Sequence, residues 1–361
     1  MTATTFVTEP PDLTAVAAQV DSVLSDFLAS QAGSAAAHHL PAEITEVLGA
    51  FLFAGGKRLR PLLCVTGWQA VGGHGDIAPV LQVAASLEMF HAFALIHDDI
   101  MDDSATRRGR PSVHRALAAR HQQGRSTGAA DRLGAGAAIL IGDLALTWAD
   151  ELLHTAGLTA GRLTSILPLL DVMRTEVMYG QYLDLLATGR PTPDLDQALA
   201  VIRYKTAKYT VERPLHIGAA LAGARPELLA ELSDFALPLG EAFQLRDDLL
   251  GVYGNPLQTG KPRLDDLRDG KHTVLLALAL THATRAQADQ LRLLIGCADL
   301  TEDQAEAAQR IVTATGARDT VEAMITERLG QALAALRTMS LAPDATNLLR
   351  HLAESALTRD T

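Results

Sequence analysis

Four carboxylates end an apolar stretch of the sequence LIHDDIMDDSATRRGRP (95–111), and three arginines follow them. The carboxylates are Asp98, Asp99, Asp102 and Asp103, and the arginines are Arg107, Arg108 and Arg110. Positions four apart share one face of a helix, which pairs the first aspartate with the third and the second with the fourth. Such like-charge pairs destabilise a helix, and a charged tip on a buried helix is costly unless it is compensated. A solvated acidic helix end is one explanation; a site for Mg²⁺, shared with the phosphates of a substrate, is the other.

A second acidic pair favours the metal site. In FQLRDDLLGVYG (243–254), Asp247 and Asp248 lie between leucines, and Gln244 precedes Asp248 by one helical turn. One acidic helix end is common on protein surfaces. Two of them, each inside an apolar helix, indicate a metal cluster held from both sides of a cavity.

The lysines are few and lie outside the long amphipathic helices. The chain has 31 Lys and Arg, of which five are lysines. They are Lys57, Lys205, Lys208, Lys261 and Lys271. Three of their contexts contain turn-forming Gly or Pro, where a compact ammonium suits a phosphate group. GGKRLRP (55–61) with Arg108 could hold one diphosphate without metal, and Arg107, Lys205 and Lys261 with the aspartates could hold a second with metal. One diphosphate would leave, and the other would anchor its substrate.

The elements that position these residues are predicted to be helices. Apolar residues recur every three or four positions, as in 12–30, 162–187 and 319–339, and Gly and Pro mark breaks at 72–79, 188–194 and 254–266. The polar, Gly-rich stretch 121–136 is predicted to be a mobile surface loop. Residues 1–11 are predicted to be a flexible tail, and 12–361 a single all-α domain built as a large helical bundle.

Composition excludes several classes of protein. The net charge of −11 argues against non-specific nucleic-acid binding. The two cysteines, Cys64 and Cys297, offer no disulfide framework and suit a reducing cytosol. The most apolar stretch, 135–149, is interrupted by Asp143 and is shorter than a membrane span. With no basic-then-apolar signal pattern at the N-terminus, the sequence predicts a cytoplasmic protein without a transmembrane segment.

From about residue 45 to about residue 285, the motifs resemble those of the trans-isoprenyl diphosphate synthases (polyprenyl synthetases). They occur in that family's order: GGKRLRP, EMFHAFALIHDDIMDDSATRRGRPSVH (88–114), YKTAKYT (204–210), FQLRDDLLGVYG and GKPRLDDLRDGKHT. The resemblance implies an all-α fold around a deep central cavity, with the aspartate motifs facing each other. It implies a homodimer and a Mg²⁺-dependent prenyl transfer. An allylic diphosphate ionises, isopentenyl diphosphate attacks the cation, and a proton is lost.

The resemblance also implies roles for individual residues. The metal-binding aspartates would be Asp98, Asp99, Asp102, Asp247 and Asp248. The isopentenyl diphosphate site would be Lys57, Arg60, His91 and Arg108. The allylic diphosphate ligands would be Arg107, Lys205, Lys261 and Lys271, and Thr206 and Gln244 would line the reacting carbons. The second motif departs from the family at Gly251, where many relatives have a third aspartate, and this puts closure on that side in doubt.

Chain length should depend on the depth of the cavity below Asp98. Residues four and five positions earlier, Ala94 and Phe93, lie about 6 and 7.5 Å deeper along a helix. Phe90 and Leu87 lie deeper still. The resemblance implies that one aromatic and one small residue at the nearer positions is typical of geranylgeranyl diphosphate synthases. Simple core packing of Phe93 is the alternative.

Other functions are less consistent with the motifs. A type I terpene cyclase should lack GGKRLRP and the Arg108 partner. A farnesyl diphosphate synthase would differ only at the cavity floor. A non-catalytic partner subunit of another synthase would have broken aspartate motifs, which only Gly251 suggests. A metal phosphohydrolase, suggested by HDD at 97–99, needs further spaced His and Asp ligands that the sequence does not show.

Overall fold

The predicted all-α fold is confirmed by a computed structural model, which describes residues 13–254, 265–297 and 299–357. The first helices are α1 (Leu13–Ala37), α2 (Glu43–Leu52), α3 (Leu59–Ala70), α4 (Ala78–Met101), α5 (Val113–Arg120), α6 (Thr127–His154), α7 (Ala160–Ala187) and α8 (Leu195–Val201). A π-helical segment (Ile202–Glu212) leads into α9 (Arg213–Leu221), α10 (Pro226–Tyr253), α11 (Asp265–Arg268), α12 (Val274–His282), α13 (Arg285–Leu294), α14 (Glu302–Ala314), α15 (Ala317–Thr338) and α16 (Pro343–Leu357). Between α4 and α5, β1 (Thr106–Arg107) pairs antiparallel with β2 (Arg110–Pro111).

Helix α4 is apolar on nearly all sides and lies in the core. Its middle and N-terminal turns are buried, including Leu87, Met89 and Phe90. It packs against α1, α3 and, most extensively, α6. A helix surrounded on all sides needs no polar face, which explains why no amphipathic pattern marks it in the sequence. Its C-terminal end carries the first aspartates out of this apolar environment.

The described residues form two apolar clusters. The first joins α1 to α7 with part of the π segment and α9, and it includes Val20, Leu24 and Ile166. The second joins α10 and α12–α16 with α3, α8 and the π segment, and it includes Phe235, Leu275 and Leu329. Elements α3, α9 and the π segment contribute residues to both clusters. The cavity described below is lined by elements of both.

The predicted mobile loop at 121–136 is wrong for most of its length. Only the residues up to Ser126 connect α5 to α6, and Thr127 begins a helix of 28 residues. The glycine at position 134 serves helix packing: a methyl group built there would lie 2.8 Å from the backbone nitrogen of Ala118 on α5. In the sequence, a glycine that lets two helices approach closely cannot be distinguished from a glycine in a loop.

Among the described residues, two helices, α4 and α6, are long and apolar enough to cross a membrane by length and composition. In α4 the most apolar window is 72% buried inside the fold, as in the core helix of a soluble protein. In α6 the window is 33% buried. Because α6 has 28 residues, the length argument made for 135–149 does not hold for this helix. The tail predicted at 1–11 lies outside the described residues, and the single domain at 12–361 stays a prediction.

Candidate active site

A cavity of about 1360 Å³ opens between α4, α7, the π segment and α10. Its walls include the β1–β2 hairpin, the loop before α3 and the residues after α11. Both aspartate motifs contribute to it, through Asp98, Asp102, Asp103 and Asp247. Basic residues line it too: Lys57, Arg60, Arg107, Arg108, Lys205 and Lys271. The structure therefore brings together in one cavity most of the charged residues that the sequence singled out.

Asp98 and Asp102 face the cavity together at the end of α4, as their spacing predicts. Lys205 Nζ lies 3.0 Å from one oxygen of Asp98, and Arg107 Nη2 lies 3.5 Å from the other. Burial would raise the pKa of Asp98, but Lys205, Lys271 and Arg107 outweigh it and hold this pKa below its ordinary value. Burial and the neighbouring Asp98 raise the pKa of Asp102. Of these two carboxylates, Asp98 is the one more firmly held as an anion.

The predicted pairing of Asp99 with Asp103 is wrong because α4 ends at Met101. Asp103 has a left-handed backbone (φ 50°), and its carboxylate contacts Arg115 Nη2 at 2.7 Å while 76% of the side chain is exposed. Asp99 is fully buried, and Arg107 Nε donates to its Oδ1 at 2.9 Å. Its Oδ2 has no hydrogen-bond partner among the described residues. Asp99 thus lies beside the cavity and holds Arg107, and its direct role in binding metal stays a prediction.

A tight hairpin turn directs the two adjacent arginines. Arg108 and Gly109 both have positive φ, 53° and 72°, which suits a two-residue turn between paired strands. Arg107 therefore reaches Asp99 and Asp98, while the guanidinium of Arg108 donates to the carbonyl of Gly55 in the GGKRLRP loop. The separate roles predicted for the two arginines are consistent with this divergence.

The π segment and α10 supply the uncharged polar groups of the cavity. The Thr206 hydroxyl donates to Gln244 Oε1 at 2.7 Å, and Gln244 Nε2 donates to Asp248 Oδ1 at 2.8 Å. Asp248 is buried behind this pair, and Asp247 lines the cavity. Lys271 Nζ, arriving from the loop before α12, lies 3.7 Å from Asp102. Lys261 lies outside the described residues.

Aromatic and basic residues line the opposite wall. Arg60 stacks on the Tyr209 ring at 4.2 Å and donates to the Thr210 hydroxyl at 2.6 Å. His91 Nδ1 lies 3.1 Å from the Tyr209 hydroxyl. Burial, followed by the charges of Arg60, Arg108, Arg107 and Arg58, lowers the pKa of His91 well below its ordinary value. His91 is therefore a neutral imidazole, and the charge of this wall comes from its arginines and Lys57.

Two residues that hold this site were missed by the sequence analysis. Asp184 on α7 accepts from Lys205 Nζ at 2.6 Å and is 8% exposed. Arg58, in the middle of GGKRLRP, is buried and bonds Asp21 at 2.7 Å and Glu88 at 2.9 Å. Both lie near basic residues that were recognised. In the sequence, Asp184 is one charge in a helix of ordinary composition and Arg58 is one of three basic residues in a short motif, and neither feature identifies a partner.

The lower wall of the cavity is only partly what the sequence predicts. Phe93 and Ala94 line it, whereas Phe90 and Leu87 are buried in the core, outside the lining. Phe90 supports the wall from behind, with its ring centroid 5.3 Å from that of Phe93. The opposing surface belongs to α7 and was not anticipated: Val177, Met178, Gln181, Tyr182 and Leu185.

The acidic residues are paired with cations rather than grouped with one another. Within the described ranges, no group of three or more His, Cys, Asp or Glu is close enough to hold a metal ion. Asp98 and Asp102 instead contact Lys205 and Lys271. A cation bound here would therefore require these lysines to shift toward another anion, such as a diphosphate.

A protein-family model described as polyprenyl synthetase matches residues 41–312. The chain belongs to the polyprenyl synthetase family. It is 35% identical over 272 residues to a geranylfarnesyl diphosphate synthase of Aeropyrum pernix, covering 74% of this chain and 79% of that protein. It is 33% identical over 290 residues to a geranylgeranyl diphosphate synthase of Mycobacterium tuberculosis, covering 80% of this chain and 77% of that protein.

The similarity to one solved structure covers nearly the whole of this polyprenyl synthetase chain. The crystal structure of a geranylgeranyl pyrophosphate synthase from Corynebacterium glutamicum, complexed with isoprenyl diphosphate and magnesium, has a TM-score of 0.92 and 40% sequence identity. The match covers 96% of this chain and 99% of that one. The predicted family and enzyme class are thereby confirmed: this polyprenyl synthetase is a trans-prenyltransferase. The products named for its relatives differ in length.

Proposed function

We propose that this polyprenyl synthetase condenses isopentenyl diphosphate with allylic diphosphates in a Mg²⁺-dependent reaction and makes geranylgeranyl diphosphate. One observation carries the proposal. A single cavity has aspartates with Lys205 and Lys271 at one side, Lys57, Arg60 and Arg108 at the other, and an apolar wall below. Two diphosphates and one growing hydrocarbon chain need these three kinds of surface. The geranylgeranyl pyrophosphate synthase with bound isoprenyl diphosphate and magnesium supports it.

The residues present suit a hard divalent cation. Asp98, Asp102 and Asp247 offer carboxylate oxygens to the cavity, which is the ligand type that Mg²⁺ prefers. The low pKa of Asp98 keeps it ionised at neutral pH. When bound between the aspartates and a diphosphate, Mg²⁺ would neutralise charge that builds up on the leaving group.

The protein's own cations would stabilise that same charge. Lys205 and Arg107 lie beside Asp98, where the allylic diphosphate would sit. As the bond between the allylic carbon and oxygen breaks, its electron pair stays on the diphosphate, and preorganised cations favour that product. Burial lowers the pKa of Lys205, but Asp98 and Asp184 outweigh it and hold it above its ordinary value, so the amine remains a cation.

Uncharged oxygens would face the allylic cation. The Thr206 hydroxyl donates its proton to Gln244, so the lone pairs of its oxygen can point into the cavity. The double bond of isopentenyl diphosphate, anchored by Arg60 and Arg108, supplies the electrons for the new carbon–carbon bond. Loss of a proton from the adjacent carbon to the departed diphosphate then restores a double bond.

The product length follows from the lower wall. Ala94 is small and faces the cavity, and Phe93 beside it is partly buried. This combination leaves room for a chain longer than farnesyl. A farnesyl diphosphate synthase remains the alternative at the level of product, and a non-catalytic partner subunit is the alternative at the level of function.

The decisive assay combines purified protein, labelled isopentenyl diphosphate, Mg²⁺ and each of the dimethylallyl, geranyl and farnesyl diphosphates. After dephosphorylation, chromatography should show mainly geranylgeraniol. Chelation by EDTA should abolish the product, and excess Mg²⁺ should restore it. Farnesol or alcohols longer than geranylgeraniol would support the proposed reaction and contradict the proposed product length. A folded protein that elongates no starter would reject the proposed activity in favour of the partner subunit.

We also propose that the chain is a cytoplasmic homodimer. Helices α6 and α7 expose large apolar side chains, which for a single copy is unusual on a water-facing surface. Those that do not line the cavity are Ile139, Leu140, Val172, Tyr179 and Leu186. A second copy covering these faces would bury them. Light scattering after size exclusion should give twice the chain mass of 38.3 kDa. A mass of one chain at micromolar concentration would contradict the dimer.

A further inference from the structure

The π segment, which carries Lys205 and Thr206, lies against one stripe of α7. Glu176, Gly180 and Asp184 are spaced one helical turn apart on that stripe. Glu176 accepts from Lys208 at 2.6 Å, and Asp184 accepts from Lys205 at 2.6 Å. At Gly180, between them, the backbone of α7 lies against the backbone of Tyr204 and Lys205. The two ion pairs fix the segment along α7, and the glycine fixes its distance from α7.

The approach at Gly180 leaves no room for a side chain. A methyl group built on Gly180 would lie 2.7 Å from Lys205 Cα and 2.7 Å from the Tyr204 carbonyl carbon. These are backbone atoms, which cannot rotate away as the end of a flexible side chain can. Any side chain at position 180 must therefore push the backbone of Lys205 away from α7.

A second glycine lies on the other side of the same segment. A methyl group built on Gly240 of α10 would lie 2.8 Å from Ala207 Cβ and 3.1 Å from the Ala207 carbonyl oxygen. Gly240 precedes Gln244, which bonds Thr206, by one turn of α10. Two helices thus hold the segment at Lys205 and at Ala207, two residues apart, through contacts that leave no room for a side chain on the helix.

The segment is also unusual in its own geometry. It is π-helical over 11 residues, and at its end the Arg213 amide bonds to the carbonyl of Lys208, five residues earlier. π-helical turns are rare, are usually single, and often occur at functional sites. Lys205, Thr206, Tyr209 and Thr210 all line the cavity from this segment. Its placement, more than that of any single side chain, sets where these four groups lie.

We propose that Gly180 and Gly240 are positioning residues for prenyl transfer. They contact no substrate; they seat the π segment so that Lys205 reaches Asp98 and the leaving diphosphate, and Thr206 reaches Gln244 and the allylic carbon. This inference rests on the proposed function. It assigns to two glycines a part in catalysis that acts entirely through Lys205 and Thr206.

Gly180→Ala tests the first contact. Displacement of about 1 Å at a reacting group can cost about a hundredfold in rate, so kcat should fall by about that factor. The KM for isopentenyl diphosphate should change much less than kcat, because Lys57 and Arg108 lie on other elements, although Arg60 contacts Tyr209 and Thr210 of the segment. Gly161→Ala is the matched control. It lies in the first turn of the same helix, is exposed, and has nothing within 4 Å of the added methyl, so its kcat should match the wild type.

A double-mutant cycle separates positioning from general damage. If Gly180→Ala acts through Lys205, then adding it to Lys205→Ala should cost little more than Lys205→Ala alone. Damage to the fold at large would instead multiply the two losses. Multiplied losses, or a folded Gly180→Ala enzyme with kcat within about threefold of wild type, would overturn the proposal.

The cycle of Gly240→Ala with Thr206→Ala provides an independent arm and decides the matter if Gly180→Ala does not fold. Here too, coupled losses support positioning and multiplied losses overturn it. Gly330→Ala on α15, with nothing within 4 Å of its added methyl, is the control for this arm. Because the wild-type assay alone tests the proposed function, an inactive wild type rejects that function, whereas an active wild type with tolerant glycine variants rejects only this inference.

Discussion

Asp98→Asn should lower kcat by about a thousandfold while the protein stays folded. The carboxylate is 15% exposed and is shared by Lys205 at 3.0 Å and Arg107 at 3.5 Å. Asn keeps the shape and removes the charge that these cations and a Mg²⁺ ion would both require. Loss of several kcal/mol of stabilisation of the leaving charge corresponds to about a thousandfold in rate. The measurement is steady-state turnover of farnesyl and isopentenyl diphosphates over a range of Mg²⁺ concentrations.

Asp103→Asn is the control for this variant. It removes a carboxylate five residues away, at a residue with left-handed backbone that Asn also tolerates. Asp103 also lines the cavity, but its carboxylate contacts Arg115, and 76% of the side chain is exposed. Turnover should stay within about twofold of the wild type, since exposed ion pairs contribute little. Equal loss in the two variants would show that the acidic segment acts only through its total charge, and would contradict the role given to Asp98.

The helical bundle could be predicted because apolar spacing is a local signal. The long helices at 13–37, 160–187 and 317–338 lie where that spacing places them. The error at 121–136 came from glycines. Gly134 allows α6 to approach α5, a contact that depends on residues outside the helix itself. Periodicity reports which face is apolar, but it does not report how close the neighbour lies.

The residues of the candidate site that lie within one continuous motif could be predicted from the sequence. The spacing of Asp98 and Asp102 placed both in the cavity, because α4 continues through Met101. The same spacing failed for Asp99 and Asp103, because Asp102 keeps a right-handed helical backbone at the end of α4, whereas Asp103 has a left-handed one. Local spacing holds only within one uninterrupted element.

Residues that act on distant partners could not be predicted. Asp184 is one charge in an α7 helix of ordinary composition, and its partner Lys205 is 21 residues further along the chain. The close contacts of Gly180 on α7 and Gly240 on α10 with the π segment likewise join residues that are distant in the sequence. The α7 surface that completes the cavity, including Met178 and Tyr182, is apolar like any packed helix face. Only the fold shows which apolar face encloses substrate.

Ala94→Phe should shift the main product from geranylgeranyl to farnesyl diphosphate. Ala94 lies four residues before Asp98, about 6 Å deeper along the helix, and it faces the cavity. A phenyl ring there adds to that of Phe93 and meets the α7 wall, which includes Met178 and Tyr182. Forcing the last five carbons into filled space costs about 1–3 kcal/mol, so the ratio of C20 to C15 product should fall by about tenfold or more.

The first elongation step is an internal control for this shift. With dimethylallyl diphosphate as starter, the five-carbon chain ends well above position 94, so the rate of C10 formation should change by less than about threefold. Phe93→Ala is the opposite change, and it should lengthen the product because it removes a ring that lines the cavity. The helix should stay packed, because Phe90 behind that ring is buried. Opposite shifts from neighbouring positions would assign chain length to this part of α4. An unchanged product from Ala94→Phe would move the length determinant to the α7 wall and leave Phe93 as a packing residue.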